Sequence, residues 1–68
     1  MLLKDALRRA RIHGHMTQIQ AAKAAGVSVA MYQFYEYGRN EPTASVLISL
    51  ADALGVSLDY LVGRSDEP

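Results

Sequence analysis

Sixty-eight residues, seven basic and seven acidic side chains and no cysteine set the first limits. A chain this short forms one domain, 1–68, buries only about 60% of the surface it exposes when unfolded, and must be held by packing, because neither a disulfide nor a thiolate zinc site can staple it. No apolar run approaches the roughly 20 residues of a membrane span, and Lys4-Asp5 brings charge too early for a secretory leader, so a soluble, cytoplasmic protein is expected.

Gly14, Gly26, Gly38, Pro42, Gly55 and Gly63 divide the chain into five short helical segments. The first, near Leu2 to His13, sets Leu3, Leu7 and Ala10 at helical spacing, with Lys4, Arg8 and Arg11 beside that stripe. In the second, Thr17 as N-cap and Gln20 three residues on form a capping-box pattern ahead of Ala21, Ala22 and Ala25. Gly26 ends it, and Ser28 caps a third helix so soon afterwards that only a sharp turn between crossing helices fits. That helix, about 28–37, turns Tyr32 and Tyr35 inward. Proline at 42 disfavours helix at Glu41 and makes Arg39 to Pro42 an exposed loop. Thr43 caps the fourth helix, with Val46, Leu47, Leu50, Ala51 and Leu54 on its stripe, and Gly55 closes it. Ser57 opens a last short helix through Leu58 and Leu61. The ordered part is expected over about 2–63, with 64–68 a frayed polar tail. No segment alternates apolar and polar residues with β-branched enrichment, so the fold class is all-α.

Charge is unevenly spread. Residues 1–40 carry six basic side chains against two acidic ones, and residues 41–68 carry one against five, so halves of +4 and −4 cancel. A protein with one face toward DNA has this polarity. A mixed solvated surface produces it as well.

The most informative arrangement is Met16-Thr17-Gln18, Ala22, Gly26-Val27-Ser28, Tyr35-Glu36-Tyr37-Gly38 and Pro42-Thr43, followed by Leu50-Ala51-Asp52-Ala53-Leu54-Gly55-Val56-Ser57-Leu58-Asp59-Tyr60-Leu61. This order resembles the Cro and lambda-repressor (Xre-like) helix-turn-helix family from about Leu3 to Gly63. The resemblance implies a compact five-helix domain with its helix-turn-helix in helices two and three. The implied function is sequence-specific binding of double-stranded DNA by a bacterial or phage transcriptional regulator, a repressor above all. The residue types suit such a turn. Ala22 lets two crossing helices approach, Gly26 accepts a positive φ, Val27 plugs the core, and Ser28 caps the helix that enters the major groove. An ordinary helical hairpin with a glycine cap is the alternative for Gly26-Val27-Ser28 taken alone.

By the same resemblance, Gln18 donates to a backbone phosphate at a helix N-terminus. Arg11 pairs with Glu36 and keeps guanidinium donors for phosphate. Tyr37, Arg39 and Asn40 meet phosphates from the following loop. Val29, Ala30, Gln33 and Phe34 face the bases, with Met31 near the rim. Gln33 is the one side chain among these able to make a bidentate bond, suited to adenine, and Val29, Ala30 or Phe34 suit thymine methyl groups. Each position has a plain alternative: a solvated residue for Gln18 and the loop, a structural bridge for Arg11 and Glu36, a core side chain for Phe34. The resemblance further implies a homodimer, with the region Val56 to Val62 expected to pair; the core competes for Leu58 and Leu61.

Ile19, Val29, Met31 and Phe34 also permit a rival reading, a protein-interaction module on the same scaffold within a toxin–antitoxin or phage regulatory assembly. Other chemistries fare worse. His13 and His15 flank Gly14 in a loop with no third ligand, so no metal site is expected. No catalytic triad, phosphate-cradling loop or enclosed pocket is apparent, so neither an enzyme, a cofactor nor a small-molecule effector is expected.

Overall fold

The computed structural model describes all 68 residues. Five helices follow one another, α1 (Leu3–His13), α2 (Gln18–Ala25), α3 (Val29–Tyr37), α4 (Ala44–Leu54) and α5 (Leu58–Leu61), with no strand. No helix is long and apolar enough to cross a membrane.

Local chemistry sets their boundaries. Thr17 Oγ1 accepts from the Gln20 N–H at 3.0 Å while Gln20 Oε1 accepts from the Thr17 N–H at 2.9 Å, so the capping box forms in both directions. The hydroxyls of Ser28, Thr43 and Ser57 likewise accept from the N–H three residues ahead, at Met31, Val46 and Tyr60. Each such cap satisfies one of the N–H groups that a helix start leaves without a partner. Gly26, at φ 74°, turns the chain between α2 and α3 in a left-handed conformation open to glycine at little cost. The Val27 N–H then returns to the Ala22 carbonyl at 3.0 Å, and Val27 packs half-buried against the core.

α1 ends at Gly14 as expected, but the left-handed residue that follows is not the glycine. Gly14 keeps φ −82° and the left-handed residue is His15, at φ 57°. The Met16 N–H reaches back to the Arg11 carbonyl at 3.1 Å, so the capping turn runs through His15, one residue beyond the glycine.

The core holds Leu7, Tyr32, Leu50 and Leu61 fully buried, and around them six alanines, Ala6, Ala10, Ala21, Ala22, Ala25 and Ala51. Small side chains there let α2 lie against both α3 and α4, while α1 packs on α3 and α5. Tyr35 and Leu54 complete the expected stripes. Val46 is only half-buried, and Leu58 leaves the core with 41% of its surface exposed. A single-turn helix has one inward side, and in α5 Tyr60 and Leu61 occupy it. The tail, expected to fray, turns back: the Arg64 N–H donates to the Asp59 carbonyl at 2.8 Å, and the Pro68 carbonyl accepts from the Ser57 N–H at 2.7 Å.

Candidate nucleic-acid interface

Helix α3 is fixed to α1 by the one buried charged residue of the molecule, Glu36. Arg11, in the last turn of α1, donates from Nε to Glu36 Oε2 at 2.9 Å and from Nη2 to Oε1 at 2.8 Å. This two-pronged geometry is the strongest an ion pair of these groups adopts. Nη1 donates to the Met16 carbonyl at 3.1 Å, which also ties the α1–α2 loop to the pair. The Arg11 side chain is 16% exposed and that of Glu36 3%. Burial pushes the Glu36 carboxyl upward, but the bonds from Arg11 and the polar groups around it outweigh burial and hold it below the usual glutamate value. Glu36 in turn raises the Arg11 guanidinium. Tyr32, fully buried on the same helix, has no hydrogen-bond partner for its hydroxyl. Burial first, and then the nearby Glu36, make that hydroxyl harder to ionise.

From this anchor a chain of amides runs outward. Gln18, the first residue of α2, donates from Nε2 to Glu36 Oε1 at 3.4 Å, and Gln33 donates from Nε2 to Gln18 Oε1 at 3.2 Å. Beyond Gln33 lies the outer face of α3, where Val29, Ala30, Met31 and Phe34 are exposed. Phe34 keeps 38% of its surface in solvent and is no core residue. Two open hollows flank this face. One is lined by Arg11, Thr17, Gln18, Ile19, Val29 and Gln33, the other by Arg8, Arg11, Gln18, Glu36 and Tyr37. Tyr37 and Arg39 are exposed at the end of α3, and Asn40 Nδ2 approaches Met31 Sδ at 3.5 Å.

Ten of the residues singled out from sequence, Arg11, Gln18, Val29, Ala30, Gln33, Phe34, Glu36, Tyr37, Arg39 and Asn40, thus lie on or beside one surface around α3. Arg11 is committed inward first: three of the five N–H groups of its guanidinium are engaged by Glu36 and Met16. Arg8, which is not among the candidate contacts read from sequence, lines the same hollow as Gln18 and Tyr37. Its spacing of three from Arg11 on one helix was the available signal.

A buried ion pair, a glycine turn and an exposed third helix in this order define a helix-turn-helix domain of the Cro and lambda-repressor type. Residues 7–61 match the helix-turn-helix family profile, and the chain belongs to that family. It is 41% identical over 64 residues to the cryptic phage CTXphi transcriptional repressor RstR of Vibrio cholerae serotype O1, covering 94% of this chain and 57% of that protein. It is also similar to the DNA-binding domain of the P22 c2 repressor in solution, with TM-score 0.91 and 29% identity, over 100% of this chain and 88% of that one. The crystal structure of the P22 c2 repressor with synthetic operator 9T gives TM-score 0.88 and 29% identity, over 96% of this chain and 98% of that one. The chain spans little more than half the length of the curated relatives it matches, 55–58%.

Proposed function

We propose that the chain is the DNA-binding part of a sequence-specific transcriptional regulator, acting as a repressor, with α3 in the major groove and α2 across the backbone. The observation that carries this reading is the juxtaposition of Gln33 and the exposed face of α3 with an edge of phosphate-seeking groups, Arg8, Gln18 and Tyr37. Groups of the second kind set register and orientation, and groups of the first read base edges. Similarity to RstR and to the operator-bound P22 c2 repressor supports it. Arg11, Arg39 and Asn40 join the phosphate contacts, and Val29, Ala30, Gln33 and Phe34 the base contacts. The protein works without enzymatic chemistry, in the cytoplasm, as a twofold dimer on a palindromic site with half-sites about 34 Å apart. Leu58 and Val62, 41% and 43% exposed, are the apolar groups of the expected pairing region left free of the core.

Fluorescence anisotropy with duplexes selected from a random pool tests the reading. Binding that prefers particular sequences, falls with salt and weakens in Gln18→Ala and Arg39→Ala is expected. No preference together with a flat salt response would reject it. One observation favours a second reading: Ile19, Val29, Met31 and Phe34 expose 63%, 36%, 37% and 38% of their surfaces on neighbouring positions, as a protein-binding face does. Loss of a protein partner in Phe34→Ala, with DNA binding absent throughout, would establish it.

A further inference from the structure

Methionine supplies all the sulfur of this chain, which has no cysteine, and its three methionines sit in different surroundings. Met16 packs half-buried against the core. Met1 is exposed in a hollow shared with Leu2, Glu41, Pro42 and Val62, none of which belongs to α3. Met31 is exposed at the rim of the outer face of α3, and its Sδ accepts from Asn40 Nδ2 at 3.5 Å. The Asn40 N–H reaches the Phe34 carbonyl, also at 3.5 Å, so the loop after α3 is laid back over the helix with its amide against the sulfur. A thioether is a weak acceptor, and an amide held by it is readily given up to a phosphate oxygen.

We propose that Met31 is an oxidation site through which hydroperoxides release the protein from DNA. The thioether sulfur attacks the outer oxygen of the hydroperoxide; an S–O bond forms and the O–O bond breaks. The departing oxygen takes up the peroxide proton and leaves as an alcohol, or as water when the oxidant is hydrogen peroxide. Sulfur loses two electrons and the peroxide gains them. The product is a sulfoxide, polar where the thioether was apolar. Because the sulfur already touches Asn40 Nδ2, the new oxygen captures that amide as a far stronger acceptor and withdraws it from phosphate. The negative end of the S–O dipole also stands beside the loop that carries Arg39 and Asn40, where it repels the backbone those residues meet. With no cysteine in the chain, no faster-reacting thiolate diverts the oxidant. Met31 lies outside the core, so the fold survives the change, and methionine sulfoxide reductases reverse it. The inference rests on the DNA-binding role proposed above.

The test treats the free chain with hydrogen peroxide and maps the added oxygen by peptide mass spectrometry. Met31 should be oxidised well before Met16, and a duplex enriched by the wild-type chain should protect Met31 while leaving Met1 reactive. The oxidised wild type should bind that duplex about 10- to 150-fold more weakly, the span of one hydrogen bond to a charged group, and a methionine sulfoxide reductase should restore the affinity. Met31→Leu, whatever its starting affinity, should keep it through the same treatment, and in Asn40→Ala the loss on oxidation should shrink. In the oxidised free chain the side-chain amide resonances of Asn40 should move while the helical circular dichroism stays, changes that require no DNA. Undiminished binding by chains oxidised at Met31, an equal loss in Met31→Leu, or an unmoved Asn40 amide would overturn the proposal and leave the DNA-binding reading standing. Failure to enrich any duplex overturns that reading and this switch with it.

Discussion

A carboxylate with 3% of its side chain in solvent is destabilising by itself, and Glu36 is tolerated because Arg11 meets both of its oxygens. Removing one partner therefore does more harm than removing both. Glu36→Ala should cost about 2–3 kcal/mol in urea denaturation, below the range for fully buried pairs because Arg11 keeps some solvent. Arg11→Met combined with Glu36→Leu should recover much of that loss. The pair also gives the fold an acid limit. Because the folded carboxyl titrates below the unfolded value of 4.5, its contribution is present above that pH and is lost as pH falls through the folded value. Glu36→Gln should flatten this limb in denaturation curves taken from pH 6 down to pH 3; an unchanged slope would assign acid sensitivity elsewhere. Residue types foretold the Arg11–Glu36 pair only through family resemblance. The Gln18 to Gln33 bond was not legible, since it depends on how α2 and α3 cross and no spacing rule reports a contact between side chains 15 positions apart.

At the scale of elements, polar residues ahead of helices were the clearest signal. Thr17, Ser28, Thr43 and Ser57 all cap as their positions suggested, because this chemistry is decided within four residues. The end of α1 was harder to read. Helix closure there depends on the Met16 N–H finding the Arg11 carbonyl, and Arg11 itself holds the Met16 carbonyl, so the stop is set by a loop docked on the ion pair. Gly26 separates backbone effects from packing. A methyl group there would meet nothing within 4 Å, so the effect of Gly26→Ala is the strain of φ 74° alone. Thermal or urea unfolding should show a loss of about 1–2 kcal/mol. A much larger loss would mean that the turn itself rearranges.

Across the whole molecule, the cancelling halves of +4 and −4 place most of the basic residues before residue 40, among the helices that build the candidate interface. Net charge concealed this, and summing along the chain revealed it, but the surface on which the cations fall needed the fold. Arg8 shows the difference: it shares a hollow with Gln18 and Tyr37. Arg8→Ala should weaken binding to every duplex by a similar factor and reduce the slope of log K against log salt by about 1 per site contacted. A sequence-dependent loss would instead make Arg8 a reader of bases.

Ala30, Met31 and Phe34 lie outside the 13-residue core, and their side chains take no part in the caps or the ion pair. On the proposed reading, what folds this protein and what it recognises are thus written in nearly separate sets of residues. Under that reading the outer letters of α3 can be exchanged without disturbing the body, and Gln18, bonded to both Glu36 and Gln33, is the place where the two vocabularies touch.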